Sequence, residues 1–184
     1  MRVLGMKRDL SISLGAANVY MLVVLIPMMV LMILPYTALW GLDNFFEGLY
    51  RFADWGSFLP IILIGVPMHE LIHGLTWVWL GKISFGELHF GVRALTPYTH
   101  CKVPIPVQAY RIGALMPALL LGLLPYVIGL IGGKGWFTSF GLVFTFAAGG
   151  DLLALWTLRG VSGKDWVEDH PSRVGCYVME EKSG

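Results

Sequence analysis

The sequence predicts an all-α membrane protein of about four transmembrane helices, with a short β-hairpin or re-entrant loop between the second and the third. Three observations predict it. Of 184 residues, 56% are apolar and only 14% charged, with a mean hydropathy of +0.68, whereas a soluble domain is nearer a quarter charged. Four apolar stretches each reach the roughly 20 residues that a bilayer crossing needs. The segments between them alternate in charge.

The first stretch runs from about Asn18 to Trp40, the second from Gly56 to Leu80, the third from Ile112 to Ile131 and the fourth from Phe137 to Leu158. Prolines at 27, 35, 60, 67, 117 and 125 fall inside the first three. Membrane helices tolerate them because neighbouring helices satisfy the freed backbone groups. The first stretch follows Arg2, Lys7 and Arg8 but exceeds a signal-peptide core, and no small-residue cleavage site follows it, so it reads as a retained helix.

Positive charge favours the N-terminus (Arg2, Lys7, Arg8), the segment Gly81–Arg111 (Lys82, Arg93, Lys102, Arg111) and the tail (Arg159, Lys164). The connection Gly41–Trp55 carries Asp43, Glu47 and Asp54 against Arg51, and the third is a tight turn, Gly132–Gly135. Positive residues mark cytoplasmic loops, so a cell-membrane protein with both termini cytoplasmic is expected. One integral membrane domain should occupy residues 1–160, and residues 161–184 a short, partly disordered cytoplasmic tail. A net charge of +1 leaves no basic surface for nucleic acid. Cys101 and Cys176 are too few and too far apart for a disulfide framework or a cysteine metal site.

The second stretch contains His69-Glu70-Leu71-Ile72-His73. Histidines at i and i+4 share one helical face, so both imidazoles can reach one zinc ion at roughly 2.0–2.1 Å. Glu70 falls beside them, where it can hold a water and take its proton. Composition alone would produce this pattern on the order of 0.004 times per chain, so it is specific. Ionisable groups inside a membrane helix are costly and mark function.

A catalytic zinc usually takes three protein ligands and keeps one open position. Asp151, in Ala148-Gly149-Gly150-Asp151-Leu152, is the main candidate for the third. Counted as continuous helices from Gly56 and Phe137, His69 stands about 20 Å deep, His73 about 26 Å and Asp151 about 21 Å. Gly149 and Gly150 would permit close helix approach. His89, His100 and the weaker Glu87 compete for the position, and His170 lies in the tail.

Between the second and third stretches, ISFGELHFGV (Ile83–Val92) alternates like a strand. Thr96–Thr99 then reads as a turn and Cys101–Pro106 as extended chain, confined to a sheet edge by Pro104 and Pro106. Such an edge can hold an extended peptide by main-chain pairing. Tyr98, His100 and Arg93 are the candidates for a donor to the oxyanion.

The run His69-Glu70-Leu71-Ile72-His73-Gly74 in a membrane helix, with an aspartate in a later one, resembles the site-2 protease class of intramembrane zinc metalloproteases. The small size, Gly81–Gly86 just after the motif helix and the late Gly149-Gly150-Asp151 resemble more specifically the bacterial "putative zincin peptidase" membrane family, over roughly residues 15–160. The resemblance implies a zinc peptidase with His69, His73 and Asp151 as ligands and Glu70 as catalytic acid and base. Leu152 follows Asp151 where site-2 proteases commonly carry glycine. The function expected is zinc-dependent hydrolysis of peptide bonds in membrane-associated protein substrates. The alternatives are a non-catalytic zinc-binding scaffold or sensor, a small transporter using the same ionisable cluster, and a prenyl-protein-type peptidase with Glu87 or Glu168 as third ligand.

Overall fold

A computed structural model describes residues 4–93, 96–170 and 173–181. The expected end of the tail, residues 182–184, and Arg2 lie outside them. The elements in order are β1 (Leu4–Asp9), α1 (Leu14–Trp40), α2 (Leu42–Ala53), α3 (Trp55–Gly81), β2 (Leu88–Arg93), β3 (Thr96–Cys101), β4 (Ile105–Pro106), α4 (Val107–Pro117), α5 (Leu124–Gly132), α6 (Gly135–Ala147), α7 (Gly149–Leu158), β5 (Trp166–Asp169) and β6 (Cys176–Glu181). A π-helical stretch, Ala118–Leu123, joins α4 to α5 into one long apolar rod.

Among the described residues, three helices are long and apolar enough to cross a membrane: Gly15–Trp40, Trp55–Gly81 and Val107–Gly132. The expected fourth, Phe137–Leu158, is not one straight helix. It divides into α6 and α7, bent by 49°, and the pair counts as a span only if taken together. The break falls at Ala148, directly before two consecutive glycines, a common setting for a sharp kink. The third rod begins at Val107 rather than Ile112, so Arg111 stands inside a helix. Its guanidinium donates to the carbonyls of Leu158 and Val161, satisfying acceptors that the end of α7 leaves open.

Three further differences lie outside the long helices. Leu42–Ala53, expected as a loop, is an amphipathic helix that buries Phe45, Gly48 and Phe52. The tail, expected partly disordered, forms β5 and β6. They join β1 and β4 in one antiparallel sheet of order β1-β6-β5-β4, so the protein is mostly helical rather than all-α. Val167 faces Ile105 across one pair of strands and Met179 faces Lys7 across another. β2 and β3 form a separate two-stranded sheet, and Thr96–Thr99, expected as a turn, lies inside β3.

The chain divides into two compact units. The first holds the described residues up to Val19, then Glu70–Met116 and the chain from Gly150 onward. Its core joins Trp77, Leu88, Cys101, Ile105, Tyr110, Leu158, Val167 and Val178. The second holds Tyr20–His69 and Pro117–Gly149. Here the helices meet through small residues. A Cβ on Gly48 would stand 2.2 Å from the backbone of Gly135, and one on Gly129 would stand 2.6 Å from the Thr138 nitrogen. Three polar tips tie the helices together: Tyr36 to Asn44 (3.0 Å), Trp40 to the Leu130 carbonyl (2.8 Å) and Tyr126 to the Met32 carbonyl (2.8 Å).

Candidate metal centre

The motif lies in the middle of α3, a single 27-residue helix. Its histidines therefore stand one turn apart on one face, and both are buried. Nδ1 of His73 lies 2.8 Å from the Gly113 carbonyl oxygen on α4. A carbonyl only accepts, so Nδ1 carries a proton, and in the neutral imidazole Nε2 is then the nitrogen that offers a lone pair. That nitrogen stands 3.2 Å from Oδ1 of Asp151 in the first turn of α7. The break before α7 is what puts Asp151 there, where a helix N-terminus favours a carboxylate.

Two ligands at about 2.0 Å from a tetrahedral zinc are about 3.3 Å apart, close to the His73–Asp151 separation. One ligand atom from each of His69, His73 and Asp151 lies within 4.8 Å of the others, and among the described residues this is the group able to hold a metal ion. Two imidazole nitrogens and one carboxylate oxygen suit zinc and leave a fourth position open. The bond from His73 to a backbone carbonyl is the usual partner of a metal-bound imidazole. The Asp151 side chain remains 26% exposed, so the centre is not sealed.

The His73 ring is also fixed by stacking. Trp77 lies parallel to it at 5.5 Å between ring centres, and Tyr110 lies parallel to Trp77 at 5.3 Å. The indole of Trp77 donates to the Tyr110 carbonyl at 3.3 Å. Gly113 makes room for this stack, because a Cβ there would sit 2.1 Å from the Trp77 nitrogen.

Glu70, between the two histidines, meets β3. The Thr99 hydroxyl lies 2.8 Å from Glu70 Oε2 and 2.9 Å from the Glu70 carbonyl, so two acceptors share its single proton. Neither Thr99 nor the tail carboxylate Asp169 is singled out by the sequence. Asp169 accepts from the Cys101 backbone N–H (2.9 Å) and the Tyr110 hydroxyl (2.8 Å), and lies 3.7 Å from His100. Burial outweighs these contacts and holds its carboxyl above the ordinary carboxylate value. No local pattern marks Asp169, since its partners stand about 60 residues away along the chain.

The competing third ligands are engaged elsewhere. Glu87 forms a capping box with Ser84, accepting its N–H at 2.7 Å. His100 faces Asp169, and His89 stands opposite His100 in the β2–β3 register with its ring near Tyr98. His170 accepts from the Arg173 N–H. Glu168 stands opposite Tyr177 in the tail sheet. Of the candidate oxyanion donors, Tyr98 and His100 lie on β3; Arg93 ends β2, with its side chain outside the described ones. Cys101 and Cys176 are buried free thiols, and burial pushes them up to about 11 and about 12, so they stay protonated and make poor ligands.

A family model described as "putative zincin peptidase" matches residues 62–164, more than half of the chain, including α3 from its first third onward, the hairpin, α4 to α7 and the whole His69/His73/Asp151 group. No curated protein and no solved structure matches.

Proposed function

We propose that this chain, a member of the "putative zincin peptidase" family, is a zinc metallopeptidase that hydrolyses peptide bonds of membrane-associated proteins within or beside the bilayer. The observation that carries this reading is the approach of His73 Nε2 to Asp151 Oδ1 at 3.2 Å, with Nδ1 committed to Gly113. His69, His73 and Asp151 would hold the ion, and Glu70 lies next to them in the helix. Zinc, when bound, supplies a Lewis acid that acidifies water and polarises a carbonyl. Glu70 takes the proton from the water at a carboxylate oxygen and delivers it to the departing nitrogen. Gly113 and Trp77 keep the His73 ring from rotating.

The membrane setting rests on the surface of the helices. Val23, Leu31, Leu63, Ile64 and Ile131 are each more than 60% exposed, an apolar surface that lipid covers and water does not. Pairing of β1 with β6 supports an even number of crossings, because no bilayer can separate two hydrogen-bonded strands. With the α6–α7 pair taken as one span, the count is four, and the charge pattern puts both termini in the cytoplasm.

The test uses full-length protein in nanodiscs, with labelled casein and labelled transmembrane peptides as substrates. Wild type cleaves and holds zinc. Glu70→Gln holds zinc but loses about 10²–10⁴-fold in rate, and His73→Ala loses both. Cleavage undiminished in Glu70→Gln refutes the assignment, and zinc binding without any cleavage favours the scaffold reading.

A further inference from the structure

Glu70 belongs to a helix in which His73 is fixed by its neighbours Gly113 and Trp77. A glutamate has three rotatable bonds, and a base that swings between rotamers loses effective concentration at the water it must deprotonate. Its fixing partner stands on another element. The Thr99 hydroxyl reaches both Oε2 and the backbone carbonyl of Glu70, at 2.8 and 2.9 Å. One carboxylate oxygen thereby has a partner on β3.

The strand carrying Thr99 is itself held. Thr99 faces Phe90 in the β2–β3 register. Two residues on, the Cys101 N–H is bonded to Asp169 and its side chain is buried in the core of the same unit. A threonine suits the position because a β-branched side chain has few rotamers in a strand, so its hydroxyl stays aimed at α3.

We infer that Thr99 is a positioning residue that orients the Glu70 carboxylate from strand β3. The inference rests on Glu70 acting as the proton acceptor, but its spectroscopic test does not. Thr99→Val keeps the shape and removes the donor; Thr99→Ser keeps the donor.

The experiment uses the zinc-loaded full chain. Isotope-edited infrared spectra of protein labelled at glutamate identify the Glu70 carboxylate stretch as the band missing in Glu70→Gln. Thr99→Val shifts this band and Thr99→Ser does not. In the peptidase assay, Thr99→Val lowers kcat by about 10–100-fold, with KM and zinc content unchanged, and Thr99→Ser restores kcat to within a few-fold. If Thr99→Val does not fold, Thr99→Ala is read in the same way, since truncation adds no clash.

An unshifted band in the variant lacking the hydroxyl overturns the inference whatever the activity. A shifted band with wild-type kcat also overturns it, because the bond then positions nothing that matters. A shifted band in Thr99→Val, with a wild type that cleaves no substrate, leaves the contact standing and removes the peptidase reading instead.

Discussion

His73 and Gly113 are bound to each other across two helices: the imidazole Nδ1–H donates to the glycine carbonyl at 2.8 Å. The same glycine lies under Trp77, so its missing side chain and its carbonyl serve one purpose. An alanine at 113 would bring a Cβ to 2.1 Å from the indole nitrogen. The indole is stacked between His73 and Tyr110 and cannot yield without moving one of them. Gly113→Ala should therefore weaken zinc about 10–100-fold, the usual cost of disturbing the partner of a metal-bound histidine. Competition with a chromophoric chelator measures it, and an unchanged affinity would show that the stack does not set the imidazole.

The N-terminal strand and the tail hydrogen-bond to each other, and β4 in the central segment joins the same sheet. These are the three segments that loop charge assigns to the cytoplasm. Single cysteines at Arg8, Gly163 and Asp43, all exposed positions, should report this in spheroplasts. An impermeant maleimide added outside should label Asp43→Cys and spare Arg8→Cys and Gly163→Cys. Native Cys101 and Cys176 are buried and should stay silent. Labelling of Arg8→Cys from outside would invert the topology.

Asp169 gives a pH signature. Its carboxyl is buried among Tyr110, His100, Cys101 and Cys176, and burial raises it above the ordinary 3.8. The folded state thus holds the proton more tightly than the unfolded chain. That contribution to stability is complete below 3.8 and is lost as pH rises through the raised folded value. Thermal melts should show this slope in wild type and lose it in Asp169→Asn. Asp169→Ala should cost more, since the Cys101 N–H and the Tyr110 hydroxyl each lose a partner at about 1–3 kcal/mol. A wild-type slope retained in Asp169→Asn would assign it to another group.

Packing in the second unit is tested at Gly48. Its α-carbon faces Gly135 so closely that an added Cβ would meet backbone at 2.2 Å, and backbone cannot rotate aside. Gly48→Ala should destabilise by about 1–3 kcal/mol, read as a lower melting temperature in detergent. No loss would mean that α2 and α6 do not pack this closely.

The long apolar rods and the His69/His73 pair were legible because both signals are local: hydropathy over 20 residues, and a four-residue spacing. Asp151 was legible as a carboxylate in an apolar run; Gly149, read as a close-packing site, is one, since a Cβ there would meet Leu25 at 2.5 Å, and it also opens α7 just after the break at Ala148. Phe45, Leu49 and Phe52 repeat at helical spacing in α2, but the charges among them disguised a helix as a loop. The tail was the hardest part. Trp166–Asp169 and Cys176–Glu181 are short, and their partners, Ile105 and Lys7 among them, lie far along the chain. Such pairing leaves no periodic trace in one sequence. Thr99 and Asp169 escape notice for the same reason, since each acts on a residue that only folding brings near.

The most direct test is the zinc content of purified full-length protein, measured by mass spectrometry in wild type and in Asp151→Ala. The account predicts one zinc per chain in wild type and loss of the ion when the carboxylate is removed. One zinc per chain retained in Asp151→Ala would contradict it and turn attention to His89 and His100.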